Sequence, residues 1–251
     1  MVATGCKVLA ALGLLWILGA CTSLSPVLQT PPPEVTTRIS SNFDAEKLTY
    51  CFGHSCARQH TVSFPPVRWR EVHALFAESG MGAERERQQI RTAIGLMERI
   101  AAAQAGTEGD LAGTTPITLQ ANGPAQLDCY DEAINTSNFL GLLEQNGLLR
   151  YHRVRAPVQR WFVGGDYIHA TAVIEESDSV VAYAVDSSFH DNGEAGETPL
   201  LDAWLAGWAP EDDDRAVVIL ESQQATASIR RTPRPPMLKN TPASSTSATP
   251  R

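Results

Sequence analysis

No stretch of the 251-residue sequence carries the roughly 20 consecutive apolar residues that a membrane-spanning helix requires. Positive charge is also scarce: 20 Lys and Arg stand against 28 Asp and Glu, a formal net charge of −8. A domain of that sign gets no electrostatic help in approaching phosphate, so nucleic acid is set aside as a partner. No internal repeat is present, which excludes a solenoid or a propeller. Cysteines are few, five in all, so each can be followed by name.

The one apolar run of note, Val8 to Leu18, follows a single charge at Lys7, and residues 1–20 read as a signal peptide. The run leads into Leu18-Gly19-Ala20-Cys21. Small residues let a peptidase reach the backbone, and the cysteine sulfur can take diacylglycerol. The segment resembles the lipobox of bacterial lipoproteins. That resemblance implies export, cleavage before Cys21, and a partner that is the membrane itself, reached through the N-terminal lipid. Thr22 rather than Asp follows, which by resemblance to Gram-negative lipoproteins implies the outer membrane, facing the periplasm. An ordinary signal peptide with an incidental cysteine is the alternative.

Residues 21–40 contain Pro26, Pro31, Pro32 and Pro33 among hydroxyl residues and read as an extended tether. Residues 223–251 are rich in Ser, Thr and Pro, with scattered basic residues, and read as a disordered tail. Between them, residues 41–222 are expected to form one domain. Once Cys6 leaves with the leader and Cys21 takes lipid, Cys51, Cys56 and Cys129 remain. In an oxidising compartment Cys51 and Cys56 are expected to pair, leaving Cys129 as a free thiol. Zinc held by Cys51, Cys56, His54 and His60 is the competing reading.

Trp69, Val72, Leu75 and Phe76 recur at helical spacing, as do Ile90, Ile94, Met97 and Ala101 after the charged opening Glu84 to Arg87. A third helix is expected over Cys129 to Gln145, stopped by Asn146-Gly147. Strand-like patterns then follow at Tyr151–Val158, Trp161–Val163, Tyr167–Ile174 and Val180–Val185, with a Gly164-Gly165 turn. A short helix carrying Leu201, Trp204, Leu205 and Trp208, and a last strand at Val217–Leu220, complete the pattern. Helices followed by antiparallel strands imply an α+β fold, N-terminal helices packed on an antiparallel sheet.

Cys129 opens its helix behind Asp128, a natural N-cap. A thiol in a first turn feels the positive end of the helix dipole, and the N–H groups there can hold an oxyanion. A nucleophilic thiol needs a base, and the base needs a group to orient it. The stretch from Tyr167 to Asp186 reads as a hairpin turning at Glu176–Ser179, which sets His169 directly opposite Asp186. Directly opposed side chains have Cβ atoms about 5 Å apart, close enough for a carboxylate to accept from imidazole.

The order Cys, His, Asp, with the cysteine opening a helix and the others on adjacent antiparallel strands, resembles the transglutaminase-like superfamily. The phrases Asp128-Cys129-Tyr130-Asp131-Glu132-Ala133 and Tyr183-Ala184-Val185-Asp186-Ser187 are similar to those of uncharacterised proteobacterial proteins of this type. The resemblance covers roughly half the chain, about Arg85 to Trp208. It implies a papain-like core and a catalytic triad of Cys129, His169 and Asp186. Gln126 or a backbone N–H would stabilise the oxyanion. It also implies acyl transfer or hydrolysis at peptide or protein amides; no cofactor or metal is assigned.

Opposing charge surrounds the thiol. Asp128, Asp131 and Glu132 should raise its pKa. A silent envelope lipoprotein that uses the same fold to bind a partner or the cell wall is therefore the alternative function. His152 and His190 are rival bases and Asp191 a rival acid. The Trp204–Trp208 stripe reads as core, and Glu211 to Asp214 as a solvated loop.

Overall fold

Capping chemistry places the central helix. The computed structural model describes residues 30–77, 82–113, 123–161 and 168–210. Outside these lie the signal peptide, Cys21, the start of the tether, the Gly164-Gly165 turn and the Glu211–Asp214 run. So do the strand expected at Val217–Leu220 and the 223–251 tail. The elements run α1 (Pro33–Thr36), β1 (Leu48–Phe52), β2 (Arg58–Val62), α2 (Pro66–Leu75), α3 (Gly82–Ala105) and α4 (Cys129–Gln145). They continue with β3 (His152–Trp161), β4 (Ile168–Glu176), β5 (Ala182–Val185) and α5 (Leu201–Leu205). The fold is α+β, with a β1–β2 hairpin and a β3-β4-β5 antiparallel sheet.

Helix α4 begins in a reciprocal capping box: the Asp128 side chain accepts from the Tyr130 and Asp131 N–H, and the Asp131 side chain accepts from the Asp128 N–H. It ends at the Asn146-Gly147 pair, as the sequence predicts. Gly147 takes φ +68°, and the Leu148 and Gly147 N–H groups bond back to the Leu143 and Glu144 carbonyls, a Schellman closure. The helix is buried on nearly every side from Asp131 to Leu143. Its polar residues are spent on neighbours rather than water. Asn135 accepts from the Cys51 N–H at 2.7 Å and donates to the Cys51 carbonyl at 2.8 Å, which ties β1 to the helix.

The segment read as tether is in part built onto the domain. Pro33–Thr36 forms a helical turn, and the Ser40 N–H donates to Asn138 at 2.9 Å. The β1–β2 hairpin is a finding of the structure, since in the sequence its residues read as a small loop around the disulfide.

Strand β4 lies at the centre of the three-stranded sheet, and its residues His169 to Ile174 are buried. Ala172 and Ile174 face the main core with α3 and α4, while Val173 faces a second cluster around Trp204. In β3 the register to β4 shifts between Arg155 and Val158. Pro157 lies in that bulge; it has no N–H to give a ladder. Helix α3 pins the loop after β5: Gly193 N–H donates to Glu98 at 3.2 Å, and Arg91 donates to the Gly196 carbonyl at 2.5 Å. Gly95 is needed there, because a Cβ would lie 2.4 Å from the Glu194 carbonyl oxygen.

Candidate active site

The acidic residues around Cys129 are structural before they are electrostatic. Gly53, His54, Ser55 and Cys56 all have positive φ, between 52° and 82°. Three of them are non-glycine, so the turn is costly unless its surroundings hold it. Its N–H groups supply the hold. His54 and Cys56 donate to Asp131 at 2.8 and 2.5 Å, and Ser55 donates to Asp128 at 3.0 Å. A Cys51–Cys56 disulfide closes the loop, with Cα atoms 4.7 Å apart. Both sulfurs are thus unavailable as the thiolates that a zinc site would need. His54 points its ring to Asp128 at 2.8 Å, whereas His60 sits exposed on β2. Among the described residues no group of three or more His, Cys, Asp or Glu could hold a metal ion.

Cys129, first residue of α4, is half-buried and carries a free thiol. Its sulfur lies 3.6 Å from the Ile168 carbonyl oxygen and accepts from the Ala170 N–H. Both groups project from the same edge of β4, because backbone groups alternate sides along a strand. β5 covers that edge only as far as Ala172, which pairs with Val185. The thiol thus occupies the edge where the third strand stops, flanking His169 on both sides. Burial pushes the thiol pKa up, and Asp128, Asp186 and Glu132 add to it. The Cys129 N–H, at the start of α4, meets no acceptor among the described residues.

His169 and Asp186 are in contact, Nε2 to Oδ2 at 2.8 Å, though not by direct opposition. The β4–β5 register sets Ala172 against Val185. Continued, it would place Ser188 opposite His169 and Asp186 opposite Thr171. The expected pairing is therefore corrected by two residues. The turn comprises Ser177 to Val180, closed by the Glu176 N–H to the Val181 carbonyl at 2.9 Å. Glu176 stays in the strand because Arg87, Tyr183 and Ser179 hold its carboxylate at 2.8, 3.1 and 3.0 Å. A shift of two keeps every side chain on its face, so the contact survives as a diagonal.

Asp186 is buried and accepts from four donors. These are His169 Nε2, Trp204 Nε1 at 2.7 Å, and the Ser188 hydroxyl and N–H at 2.7 and 3.2 Å on the other oxygen. Burial alone would raise its pKa; the His169 charge and these hydrogen bonds outweigh it and hold the carboxyl below its ordinary value. An ionised carboxylate only accepts, so Nε2 carries the proton and Nδ1 is the basic nitrogen. The His169 ring stacks on Trp204 with centroids 5.3 Å apart and tilts against Phe189 at the same distance.

Gln126, the side chain expected at the oxyanion, is buried. Its Nε2 donates to the Gly109 carbonyl at 2.9 Å and its Oε1 accepts from the Leu111 N–H at 3.1 Å. His152 lies at the far end of the sheet, opposite Glu176, with Nδ1 2.9 Å from buried Glu86. His190 binds Glu197 at 2.8 Å, and Asp191 accepts from the Ala112 N–H at 2.9 Å. Neither rival histidine contacts Asp186 among the described residues.

Trp204 and Ser188 are site residues that sequence reasoning misses. The tryptophan stripe at helical spacing reads as core, and Trp204 is indeed fully buried. Nothing in that spacing says where an indole N–H points. A further set of buried carboxylates, Glu98, Asp110 and Glu132, surrounds the start of α4. Burial raises the pKa of Glu98 to about 7, helped by Asp110, and that of Asp110 to about 7, helped by Asp191 and Asp128. Burial with Asp110 and Glu98 nearby raises that of Glu132 well above its ordinary value. Among the described residues, Glu132 Oε2 has no hydrogen-bond partner.

Comparison with known proteins finds no matching family model, no matching curated protein and no matching solved structure.

Proposed function

We propose that the chain is a transglutaminase-like cysteine peptidase or acyltransferase, acting on peptide or protein amides from the bacterial cell envelope, where the lipid on Cys21 would hold it. The observation that carries the reading is the thiol of a helix-opening cysteine lodged between Ile168 and Ala170, either side of a histidine whose Nε2 is 2.8 Å from a buried aspartate.

In this mechanism Nδ1 of His169 takes the Cys129 proton as the sulfur attacks the substrate carbonyl carbon. The Cys129 N–H, at the positive end of α4, stabilises the oxyanion. The imidazolium, held by Asp186, returns its proton to the leaving amine as the C–N bond breaks, and a thioester remains. Water or a second amine then attacks the thioester, giving up its own proton through His169. Because burial keeps the thiol protonated at rest, proton transfer accompanies attack and a standing thiolate is not required.

The raised thiol pKa supports a second reading, a silent lipoprotein whose fold serves binding alone. The pH dependence of Cys129 alkylation in the lipid-free domain, compared with His169→Ala, separates them. Labelling that is fast and lost with the histidine supports the enzyme. Labelling that is slow and indifferent to His169 sinks it in favour of the binding lipoprotein.

A further inference from the structure

We infer that Trp204 is a positioning residue of the site, its indole N–H fixing the oxygen of Asp186 that His169 uses and its ring fixing the plane of the imidazole. The inference deepens the cysteine-enzyme reading and rests on it for its catalytic meaning, although its geometry can be tested separately.

One carboxylate oxygen of Asp186 serves two donors at once. Asp186 Oδ2 accepts from His169 Nε2 at 2.8 Å and from Trp204 Nε1 at 2.7 Å, while Oδ1 is tied to Ser188. A carboxylate on a short side chain can rotate about its terminal torsion. With donors on both oxygens it cannot turn without losing bonds to a charged group. Trp204 itself has little freedom. It is fully buried, and the Arg160 guanidinium lies over its ring at 4.2 Å. Arg160 also donates to the carbonyls of Trp204 and Trp208, clamping α5 to β3.

The same arginine is the ladder partner of His169. The strand that positions the histidine on one edge therefore positions, through Arg160, the indole that stacks on the histidine's ring 5.3 Å away. Trp208 lacks this role: it meets Phe189 edge-on at 6.0 Å.

The test uses Trp204→Phe, which keeps an aromatic ring and removes the N–H, with Trp208→Phe as the comparison. A second form carries benzothienylalanine at position 204, keeping the indole outline with sulfur in place of N–H, in case the smaller phenyl ring leaves a cavity that unfolds the domain. Two readouts are taken on the lipid-free domain: the Cys129 alkylation rate against pH, and the downfield Nε2–H resonance of His169 in 15N-histidine protein. Loss of one hydrogen bond to a charged group should lower the His169-dependent alkylation rate about tenfold. It should also shift or broaden the Nε2–H resonance in both position-204 forms, and leave both unchanged in Trp208→Phe. An unchanged resonance in the folded benzothienylalanine form overturns the inference, whatever the thiol does. If wild-type alkylation ignores His169 while the resonance still moves, the enzyme reading fails and the positioning of Asp186 stands.

Discussion

Asp128 and Ser55 are joined by the carboxylate oxygen that the helix cap leaves over. Oδ1 accepts from the Tyr130 and Asp131 N–H at 3.1 and 2.9 Å, and Oδ2 accepts from the Ser55 N–H at 3.0 Å. One side chain thereby starts the helix that carries Cys129 and holds the left-handed loop beside it. It does so at an electrostatic cost to the thiol, because after burial Asp128 contributes most to raising the Cys129 pKa.

Asp128→Asn isolates that cost. The amide oxygen can keep the cap, so the helix still starts at Cys129, but the charge is gone, and with it the Ser55 bond and the His54 contact on Oδ2. The midpoint of the alkylation pH profile should move to lower pH, with stability reduced by about 1–2 kcal/mol. A midpoint that stays put or rises would show that Asp128 does not set the thiol.

Glu98 should make the domain less stable as pH rises. Its folded-state pKa is about 7, above the ordinary carboxylate value, because burial raises it more than the Ser187 and Gly193 hydrogen bonds and Arg99 lower it. Between the two values the folded protein keeps a proton that the unfolded chain has released. Stability is therefore lost as pH rises through that window and levels off above it. The loss amounts to roughly 3 kcal/mol from this group. Glu98→Gln is neutral throughout and can still accept from the Gly193 N–H. Urea unfolding at pH 5 and pH 8 should show the variant gaining on wild type at the higher pH; parallel changes would refute the assignment.

The Cys51–Cys56 bridge should be worth about 2 kcal/mol, the chain-entropy value for so short a loop. The double replacement by Ala, measured by denaturant unfolding, reads this directly. Thiol titration of the unfolded, unreduced domain 41–222, which lacks Cys21, should count one free sulfur, Cys129, and a count of three would remove the bridge.

Much of this architecture is legible in one dimension because it rests on local rules. Helix α4 could be delimited to the residue, since its Asp128 cap and its Gly147 stop act within a few positions of the helix ends. The pairing of two nearby cysteines and the α+β order are likewise short-range or follow from periodicity. The faces of His169 and Asp186 were legible too, because strand alternation fixes a face even when the register is off by two.

What the sequence could not carry was decided by contacts between distant segments. The position of the β4–β5 turn, one residue later than the pattern suggests, goes with Arg87, in α3, reaching Glu176. The lone-looking carboxylates Asp128 and Asp131 acquire their meaning from N–H groups more than seventy positions earlier, at 54–56. Trp204 joins the site only because packing points one N–H at one oxygen. Hydrophobic spacing determined that the tryptophan would be buried. The direction in which a buried polar atom points is set by its need for a partner, and only the tertiary structure supplies that partner.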